Sequence, residues 1–355
     1  MNDTLFREME RNARKNKIPI GGQFELTPRC TLDCKMCYVH LSHEQMKLNT
    51  ELSTDEWIRI IDEAYRQGLL FSLLTGGECM LHPGFSAIYR HLHEIGVFVT
   101  INTNGFILSD ENFELLKTLP PYAVNISLYG ASEEVYERVT GVRAFDRVLN
   151  NIRRLRDAGI NVSVSVTPST YLFDDVVNIL TLCKDERLKY NLTFSLVDAR
   201  EDTGRSIMNY GLSAEEEISL REVVRKTTGK QLYSNSDSFL PPERCSANVE
   251  CKGIECNAGR GSYAVTWDGV LHPCFRVMDV GVSLKKKSFA DAWRTISDAT
   301  DSIVIPSECE SCSAKRSCNS CYIMRADPQD PRHCNRDMCK RTLLKIQNGL
   351  EKYPK

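Results

Sequence analysis

Three cysteines near the start of the chain have the spacing of metal ligands. Cys30, Cys34 and Cys37 form a C-x3-C-x2-C pattern in a loop that directly follows a short apolar segment. Cysteine thiolates bind iron–sulfur clusters or zinc. Three of them can hold three irons of a cubane cluster and leave the fourth iron open to a small molecule. A structural zinc site needs a fourth ligand, which His40 or His43 could supply, so the cysteines alone leave both metals open.

A second motif follows the next predicted strand, residues 69–75, and consists of Gly76, Gly77 and Glu78. Together with the cysteine pattern, in which Met36 precedes the last cysteine, this motif resembles the radical S-adenosylmethionine (SAM) superfamily. Either motif alone would be far less specific. The resemblance implies a [4Fe–4S] cluster on the three cysteines, with Glu78 holding the amino group of SAM and the two glycines permitting close backbone approach.

The same resemblance implies further contacts with SAM. Ser127 occupies a position at which the superfamily can bind the carboxylate or ribose, and Arg138 suits a planar anion. Arg143 competes with Arg138, and Asn102 is an alternative ribose contact, although an ordinary turn explains that segment equally well. The residues predicted to contact the cofactor, besides the glycine–glycine–glutamate motif, are Met36, Tyr38, Asn104, Ser127 and Arg138.

Six strand-then-helix units follow one another between residues 20 and 200, with the last strand at residues 191–197, which predicts a parallel sheet with helices outside it. Ser53 and Glu56 form a capping box before the helix that follows the cysteine loop, and Ser109 could cap a later helix. Six such units form a partial (β/α)6 barrel, and ligands bind such folds at the carboxyl ends of the strands. The cysteine loop, the glycine turn and the loops at Asn102–Asn104 and Ser127–Gly130 each follow a predicted strand. We therefore expect them to meet at one rim of the barrel.

The cysteines are distributed unevenly, because ten of the 15 lie after residue 244. Asp268-Gly269 between short β-rich runs predicts a hairpin. The surrounding pattern of cysteines resembles the SPASM extension of radical SAM enzymes, which holds auxiliary [4Fe–4S] clusters. The Cys318-x2-Cys321 spacing is shorter than in many SPASM domains, so the division of ligands between two clusters stays open, and zinc is the alternative metal.

The resemblance implies two auxiliary clusters and the following ligands. The first cluster takes Cys256, Cys274 and Cys321 with an upstream cysteine, Cys251 or Cys245. The second cluster takes Cys309, Cys312 and Cys318 with Cys339, which we favour over Cys334. Cys79 and Cys183 fall outside these patterns; buried free thiols are common, and Cys79 is also a candidate for contact with the site.

The composition limits the partners and the cellular compartment that we expect for the protein. The net charge of −2 gives no indication of nucleic-acid binding, and no apolar run approaches the roughly 20 residues that cross a membrane. The charged N-terminus lacks the apolar core of a signal peptide, and cysteines at C-x2-C spacing in such a chain indicate metal rather than disulfides. We expect a cytoplasmic protein that binds neither nucleic acid nor membrane.

These patterns predict four segments of the chain and one function. The segments are a helical extension (1–20), the radical SAM partial barrel (21–212), a bridging helix and linker (213–240) and the SPASM domain (241–355). The resemblance implies modification of a ribosomally made peptide, with flavodoxin or ferredoxin as reductant. Because 29 residues before Cys30 leave no room for a leader-binding domain, we expect either a separate leader-binding protein or direct recognition of the precursor. Tetrapyrrole side-chain modification, sulfatase maturation and a non-enzymatic electron carrier are the alternatives.

Overall fold

The structure, a computed structural model, divides the chain into two compact units. The first comprises Met1–Gly211 and Gly259–Ile296, and the second comprises Leu212–Ala258 and Ser297–Lys355. The residues described are 3–39, 41, 43–48, 50–194, 196, 200, 210–229, 256–303, 306–314, 318, 321–327 and 330–350. Cys245, Cys251 and His40 lie outside this set.

Six parallel strands form the centre of the first unit. They are β1 (Gly21–Glu25), β2 (Phe71–Thr75), β3 (Phe98–Thr103), β4 (Ala123–Ser127), β5 (Val162–Val166) and β6 (Lys189–Leu192). Each strand pairs in parallel with its neighbour in the chain, so the spatial order is 6-5-4-3-2-1. This is the predicted (β/α)6 arrangement, although the last strand was expected over residues 191–197.

The helices lie before, between and after these strands. They are α1 (Asp3–Asn16), α2 (His43–Leu48), α3 (Thr54–Arg66), α4 (Phe85–Glu94), α5 (Asp110–Thr118), α6 (Glu133–Thr140), α7 (Phe145–Asp157), α8 (Val176–Asp185), α9 (Ala214–Thr228), α10 (Phe289–Asp301), α11 (Glu308–Ser311), α12 (Tyr322–Arg325) and α13 (Arg336–Gln347). None of the described helices is long and apolar enough to cross a membrane.

Local capping sets where several helices begin. Ser53 and Glu56 form the predicted capping box before α3, in which each residue bonds the backbone of the other. Ser109 caps α5 as expected. Ser213 and Glu216 form a second capping box before α9, which the sequence analysis did not identify.

A hairpin extends the sheet beyond β1. Strand β7 (Ser262–Val265) pairs in parallel with β1, and β8 (Val270–His272) and β9 (Val282–Ser283) follow in antiparallel pairing. Gly269, at φ 85°, makes the predicted turn between β7 and β8. Tyr263 on β7 packs edge-on against Phe24 of β1, at 5.9 Å between ring centroids. Residues 259–296 therefore pack with the first unit, although the prediction assigned them to the C-terminal domain, and the domain boundaries stay a prediction.

In the second unit, α9 packs on α13 around a buried carboxylate. Glu217 accepts hydrogen bonds from Arg221 at 2.8 Å and pairs with Lys345 at 3.1 Å and Arg341 at 3.2 Å. Only 4% of the Glu217 side chain is exposed. Three cations therefore hold one acidic side chain between two helices.

Candidate functional site

The cysteine loop lies at the carboxyl end of β1, where the fold predicts a ligand site. Its backbone is fixed against the end of α6, because Asp33 N donates to Thr140 O at 2.8 Å and Lys35 N donates to Val139 O at 3.1 Å. Within the loop Cys30 is exposed, Cys34 is buried and Cys37 is intermediate. Tertiary hydrogen bonds thus hold the segment that carries the three thiols.

The glycine turn after β2 packs directly on the start of the cysteine loop. Gly77 N donates to Thr27 O at 2.8 Å and Glu78 N donates to Arg29 O at 2.7 Å. A Cβ on Gly76 would lie 2.5 Å from Thr27 O, and one on Gly77 would lie 2.4 Å from Arg29 O. Close approach to the chain's own backbone therefore already requires glycine here, and the contact of Gly76 and Gly77 with SAM stays a prediction.

Glu78 is fully buried and already has donors within the protein. Its carboxylate accepts hydrogen bonds from Thr103 Oγ1 at 2.8 Å, Asn104 N at 2.9 Å and Met80 N at 3.2 Å. The Cys79 thiol lies 3.8 Å from the same carboxylate. Burial raises the pKa of Glu78, and the hydrogen bonds from Asn104, Thr103 and Met80 oppose that shift. Glu78 therefore joins the ends of β2 and β3.

Asn104 connects the loop after β3 to the cysteine loop. Its Nδ2 donates to Cys30 Sγ at 3.4 Å and to Thr31 Oγ1 at 3.1 Å, and its Oδ1 accepts from Phe106 N at 2.9 Å. The two Nδ2 hydrogens are thus used within the protein, whereas Oδ1 can accept a second hydrogen bond, so a contact with a ribose hydroxyl stays a prediction. Asn102 Oδ1 similarly accepts a hydrogen bond from Asn125 at 2.9 Å.

The predicted carboxylate contacts lie after β4. Ser127 is the last residue of β4, at the same rim as the two preceding loops. Arg138, in the last turn of α6, donates to Tyr171 O at 3.2 Å. Arg143 pairs at 3.0 Å with Glu137 on an exposed surface. Arg138 and Ser127 remain predicted SAM contacts.

Met36 and Tyr38 flank the last cysteine of the loop. Met36 is buried. Burial raises the pKa of the Tyr38 phenol to about 12, so it is protonated at neutral pH. The Arg200 guanidinium lies 5.0 Å from the Tyr38 ring centroid, and its Nη1 lies 2.9 and 2.7 Å from the two carboxylate oxygens of the fully buried Glu25.

Glu25 and Arg200 were not among the predicted site residues. Glu25 had a usable signal, because a charged residue within an apolar strand is seldom buried without a partner. Arg200 lies in a polar segment in which nothing distinguishes it, and 175 positions separate it from Glu25.

The residues of the cysteine loop fit an iron–sulfur cluster. Cys30 Sγ lies within 3.5 Å of Leu32 N and 3.4 Å of Asn104 Nδ2, which are donors suited to a thiolate. No three histidine, cysteine or acidic side chains among the described residues converge on a single ion. A cubane takes one thiolate per iron, so its ligands surround a cluster instead of meeting at one point.

A second group of thiols gathers in the second unit. Cys309 Sγ lies 3.1 Å from Cys334 Sγ. Burial raises the pKa of Cys339; a hydrogen bond with Cys334 lowers it, and the charges of Cys318, Cys312 and Cys309 raise it. Cys309 and Cys334 are therefore in contact, and Cys339 interacts electrostatically with Cys309, Cys312 and Cys318; the ligands of the second auxiliary cluster stay a prediction.

The other predicted cysteine ligands are less fully described. Cys256 and Cys321 belong to the second unit and Cys274 to the first, while Cys251 lies outside the described residues. Cys274 Sγ lies 3.4 Å from Arg276 N. The ligands of the first auxiliary cluster stay a prediction.

Cys79 and Cys183 are both fully buried thiols. Cys79 Sγ lies 3.6 Å from Asn102 O of β3 and 3.8 Å from the Glu78 carboxylate, so the thiol has hydrogen-bond partners on both β3 and the turn after β2. Burial raises the pKa of Cys183 to about 12. Both thiols are protonated at neutral pH and pack within the first unit.

Three thiols on one loop and a buried carboxylate on the next, at the carboxyl ends of parallel strands, define the class of iron–sulfur enzymes that generate radicals from SAM. Residues 24–193 match the Radical SAM superfamily. This part of the chain is therefore a Radical SAM domain, and the family implies an iron–sulfur cluster, not zinc, at the first cysteine motif.

Relatives and solved structures extend the similarity over most of the chain. Fe-coproporphyrin III synthase of Methanosarcina barkeri is 25% identical over 80% of this chain and 75% of its own length. The subtilosin biosynthesis protein AlbA of Bacillus subtilis is 27% identical over 72% of this chain and 55% of its own length. Streptococcus suis SuiB with SAM bound has a TM-score of 0.71 at 17% identity, over 96% of this chain and 84% of SuiB. SuiB with its precursor peptide SuiA has the same TM-score and identity, over 95% and 81%.

Proposed function

We propose that this radical SAM enzyme modifies a residue of a ribosomally made precursor peptide. The modification would be a thioether or carbon–carbon crosslink, an oxidation or an epimerisation. The observation that supports it most is the extent of the similarity. AlbA, a bacteriocin biosynthesis protein, aligns over 259 residues, and SuiB, solved with its precursor peptide, superposes on 95% of this chain.

Each loop at the rim has a defined task in this proposal. The thiolates of Cys30, Cys34 and Cys37 hold the cluster, and Asn104 donates to Cys30. Glu78 orients the end of β3 and provides the negative charge for the SAM ammonium. When bound, the cluster and SAM supply a 5′-deoxyadenosyl radical that removes a hydrogen atom from the substrate.

The cysteines of the C-terminal region would hold two auxiliary clusters. Ten cysteines after residue 244 exceed the eight that two closed cubanes require. With four thiolates each, these clusters would carry electrons and leave no iron open to the substrate. Flavodoxin or ferredoxin in the cytoplasm would provide the reductant, and a separate protein would bind the leader of the precursor.

The test is a single incubation with two readouts. The reduced protein is mixed anaerobically with SAM and a short peptide encoded beside its gene. We expect 5′-deoxyadenosine and a peptide whose mass has changed, with the altered residue located by fragmentation. Formation of 5′-deoxyadenosine with an unchanged peptide would contradict the peptide as substrate.

Tetrapyrrole side-chain modification is the second candidate. The match to Fe-coproporphyrin III synthase, over 312 residues, favours it. Replacing the peptide by Fe-coproporphyrin III in the same assay separates the two candidates, because only the true substrate is consumed together with SAM. The sulfatase-maturase alternative has fold similarity alone in its favour.

A further inference from the structure

Arg200 occupies a site for which the sequence analysis provides no role. Its backbone N–H donates to Tyr38 O at 3.1 Å, one residue beyond the predicted cluster ligand Cys37. Two aromatic rings lie near its guanidinium, with the centroid of Tyr38 at 5.0 Å and that of Phe275 at 4.6 Å. The segment after β6 is thereby joined to the cysteine loop after β1.

The ion pair with Glu25 uses only one corner of this guanidinium. Both short contacts, 2.9 and 2.7 Å, involve Nη1. Nε and Nη2 are buried and have no hydrogen-bond partner in the described part of the chain. Leaving such donors unpaired costs about 1–3 kcal/mol each. The two nitrogens therefore need acceptors from outside that part of the chain.

The geometry of the unpaired edge selects the kind of acceptor. The N–H bonds of Nε and Nη2 run parallel along one side of the planar group, and this fork matches the two oxygens of a carboxylate. The rings of Tyr38 and Phe275 both lie within cation–π distance of the guanidinium carbon. Glu25 fixes the opposite corner, so the fork is held before any ligand arrives.

We infer that Arg200 binds a carboxylate of the substrate through its Nε and Nη2 edge. The inference rests on the proposed function, in which the substrate reaches the carboxyl ends of the strands beside the cysteine loop. The carboxylate would belong to an acidic side chain or C-terminus of a peptide, or to a propionate of a tetrapyrrole. Both sources present the same planar anion to the fork.

The test measures binding, not turnover, to the cluster-containing protein in the presence of SAM. One arm uses a labelled glutamate-containing peptide and its glutamine counterpart; the other uses Fe-coproporphyrin III and its methyl ester. We expect wild-type protein to prefer the acid in at least one arm by about tenfold or more, the value of a charge-assisted bidentate contact. Arg200→Gln should abolish that preference, and Arg200→Lys, which keeps the charge but not the fork, should retain only part of it.

Two controls keep the result interpretable. Glu25→Gln combined with Arg200→Gln removes both charges together and so avoids a buried unpaired carboxylate if Arg200→Gln alone does not fold. SAM affinity, measured by calorimetry, should be unchanged in Arg200→Lys. An equal loss of SAM and probe affinity would assign the fork to the carboxylate of SAM and overturn the inference.

Two further results would overturn the inference. Wild-type protein could show no preference for the acid in either arm, or the preference could persist in Arg200→Gln. These outcomes are separate from failure of the proposed function. Acid selectivity for the porphyrin alone, with no modified peptide, would leave the carboxylate site standing and remove the peptide as substrate. A modified peptide without selectivity for the acid would support the peptide as substrate and contradict the carboxylate site.

Discussion

The carboxylate of Glu78 carries two tasks at once. It accepts hydrogen bonds from Thr103, Asn104 and Met80 inside the protein, and we propose that it also faces the SAM ammonium. An amide cannot replace it without bringing its own N–H groups toward these donors. A substitution here therefore changes both folding and cofactor binding.

We predict that Glu78→Gln lowers the free energy of unfolding by about 1–3 kcal/mol, because it leaves at least one buried donor unpaired. SAM affinity should fall as well, by about 1.5–3 kcal/mol for a lost charge-assisted contact. Denaturant unfolding and calorimetric titration with SAM measure the two effects separately.

Thr103→Val is the matched control for this prediction. It removes one donor to Glu78 and leaves the carboxylate in place, so stability should fall by about 1 kcal/mol while SAM affinity holds. If Glu78→Gln binds SAM as well as the wild-type protein, Glu78 has only its structural task.

At the scale of elements, the turn after β2 and the cysteine loop after β1 behave as one piece. Gly77→Ala would place its Cβ 2.4 Å from Arg29 O, while two short backbone hydrogen bonds prevent the turn from moving away. We expect destabilisation by about 1–3 kcal/mol from overpacking, and slower incorporation of iron at the first cluster. Iron content and thermal unfolding are the measurements.

Gly21→Ala on β1 provides the comparison. Its nearest neighbour would lie 3.6 Å from the new Cβ, an ordinary contact. This variant should take up iron like the wild-type protein. Equal iron uptake by Gly77→Ala would show that the cysteine loop assembles independently of the turn.

The pairing of α9 with α13 depends on the ionisation of Glu217. Burial raises the pKa of this carboxyl, but Lys345 and Arg221 outweigh burial and hold it below its ordinary value of 4.5. A carboxyl whose pKa falls on folding stabilises the folded state above pH 4.5, and that stabilisation is lost as the pH falls through the folded pKa. The second unit should therefore lose stability in mild acid.

Glu217→Gln should remove this pH dependence and lower stability at neutral pH by about 3 kcal/mol or more, because three cations remain around a neutral group. Unfolding monitored between pH 3 and pH 7 is the measurement. Glu215, on the same helix as Glu217, forms an exposed ion pair with Lys340 of α13, and Glu215→Gln should change stability little. A wild-type unit whose stability does not change over this pH range would contradict the prediction.

At the scale of the whole molecule, cluster content distinguishes the cysteine groups. Anaerobically reconstituted protein should carry about twelve irons, as three [4Fe–4S] clusters. Replacing Cys30, Cys34 and Cys37 together should reduce this to about eight. Iron analysis with electron paramagnetic resonance measures both values. Stoichiometric zinc in place of iron at the C-terminal cysteines would contradict the assignment of auxiliary clusters.

Cys339→Ala and Cys334→Ala together test which of the two cysteines is the fourth ligand of the second auxiliary cluster. Cys339 interacts electrostatically with Cys309, Cys312 and Cys318, whereas Cys334 Sγ lies 3.1 Å from Cys309 Sγ and its backbone N–H donates to Glu308. Cys339→Ala should alter the spectrum of one auxiliary cluster and lower product formation more than 5′-deoxyadenosine formation. Cys334→Ala should leave that spectrum as in the wild-type protein. The opposite result would show that Cys334, and not Cys339, is the cluster ligand.

The order of strands and helices could be predicted because it depends on short-range patterns in the sequence. Alternation of apolar runs, the capping box at Ser53 and the Asp268-Gly269 turn each act over a few residues, and all three are found where expected. The cysteine and glycine motifs were equally local, so they indicated the superfamily and the rim of the sheet without any three-dimensional information.

The partners of individual side chains were decided only by the tertiary structure. Glu25 and Arg200 lie 175 positions apart, β7 joins β1 from beyond residue 260, and Glu78 receives its donors from a different strand. Such contacts depend on how parallel strands place their ends together and on which buried charges must then be neutralised. Local propensity describes neither the placement of the strand ends nor the neutralisation of buried charges. The sequence by itself therefore determined the elements and their motifs, whereas packing decided which polar groups meet.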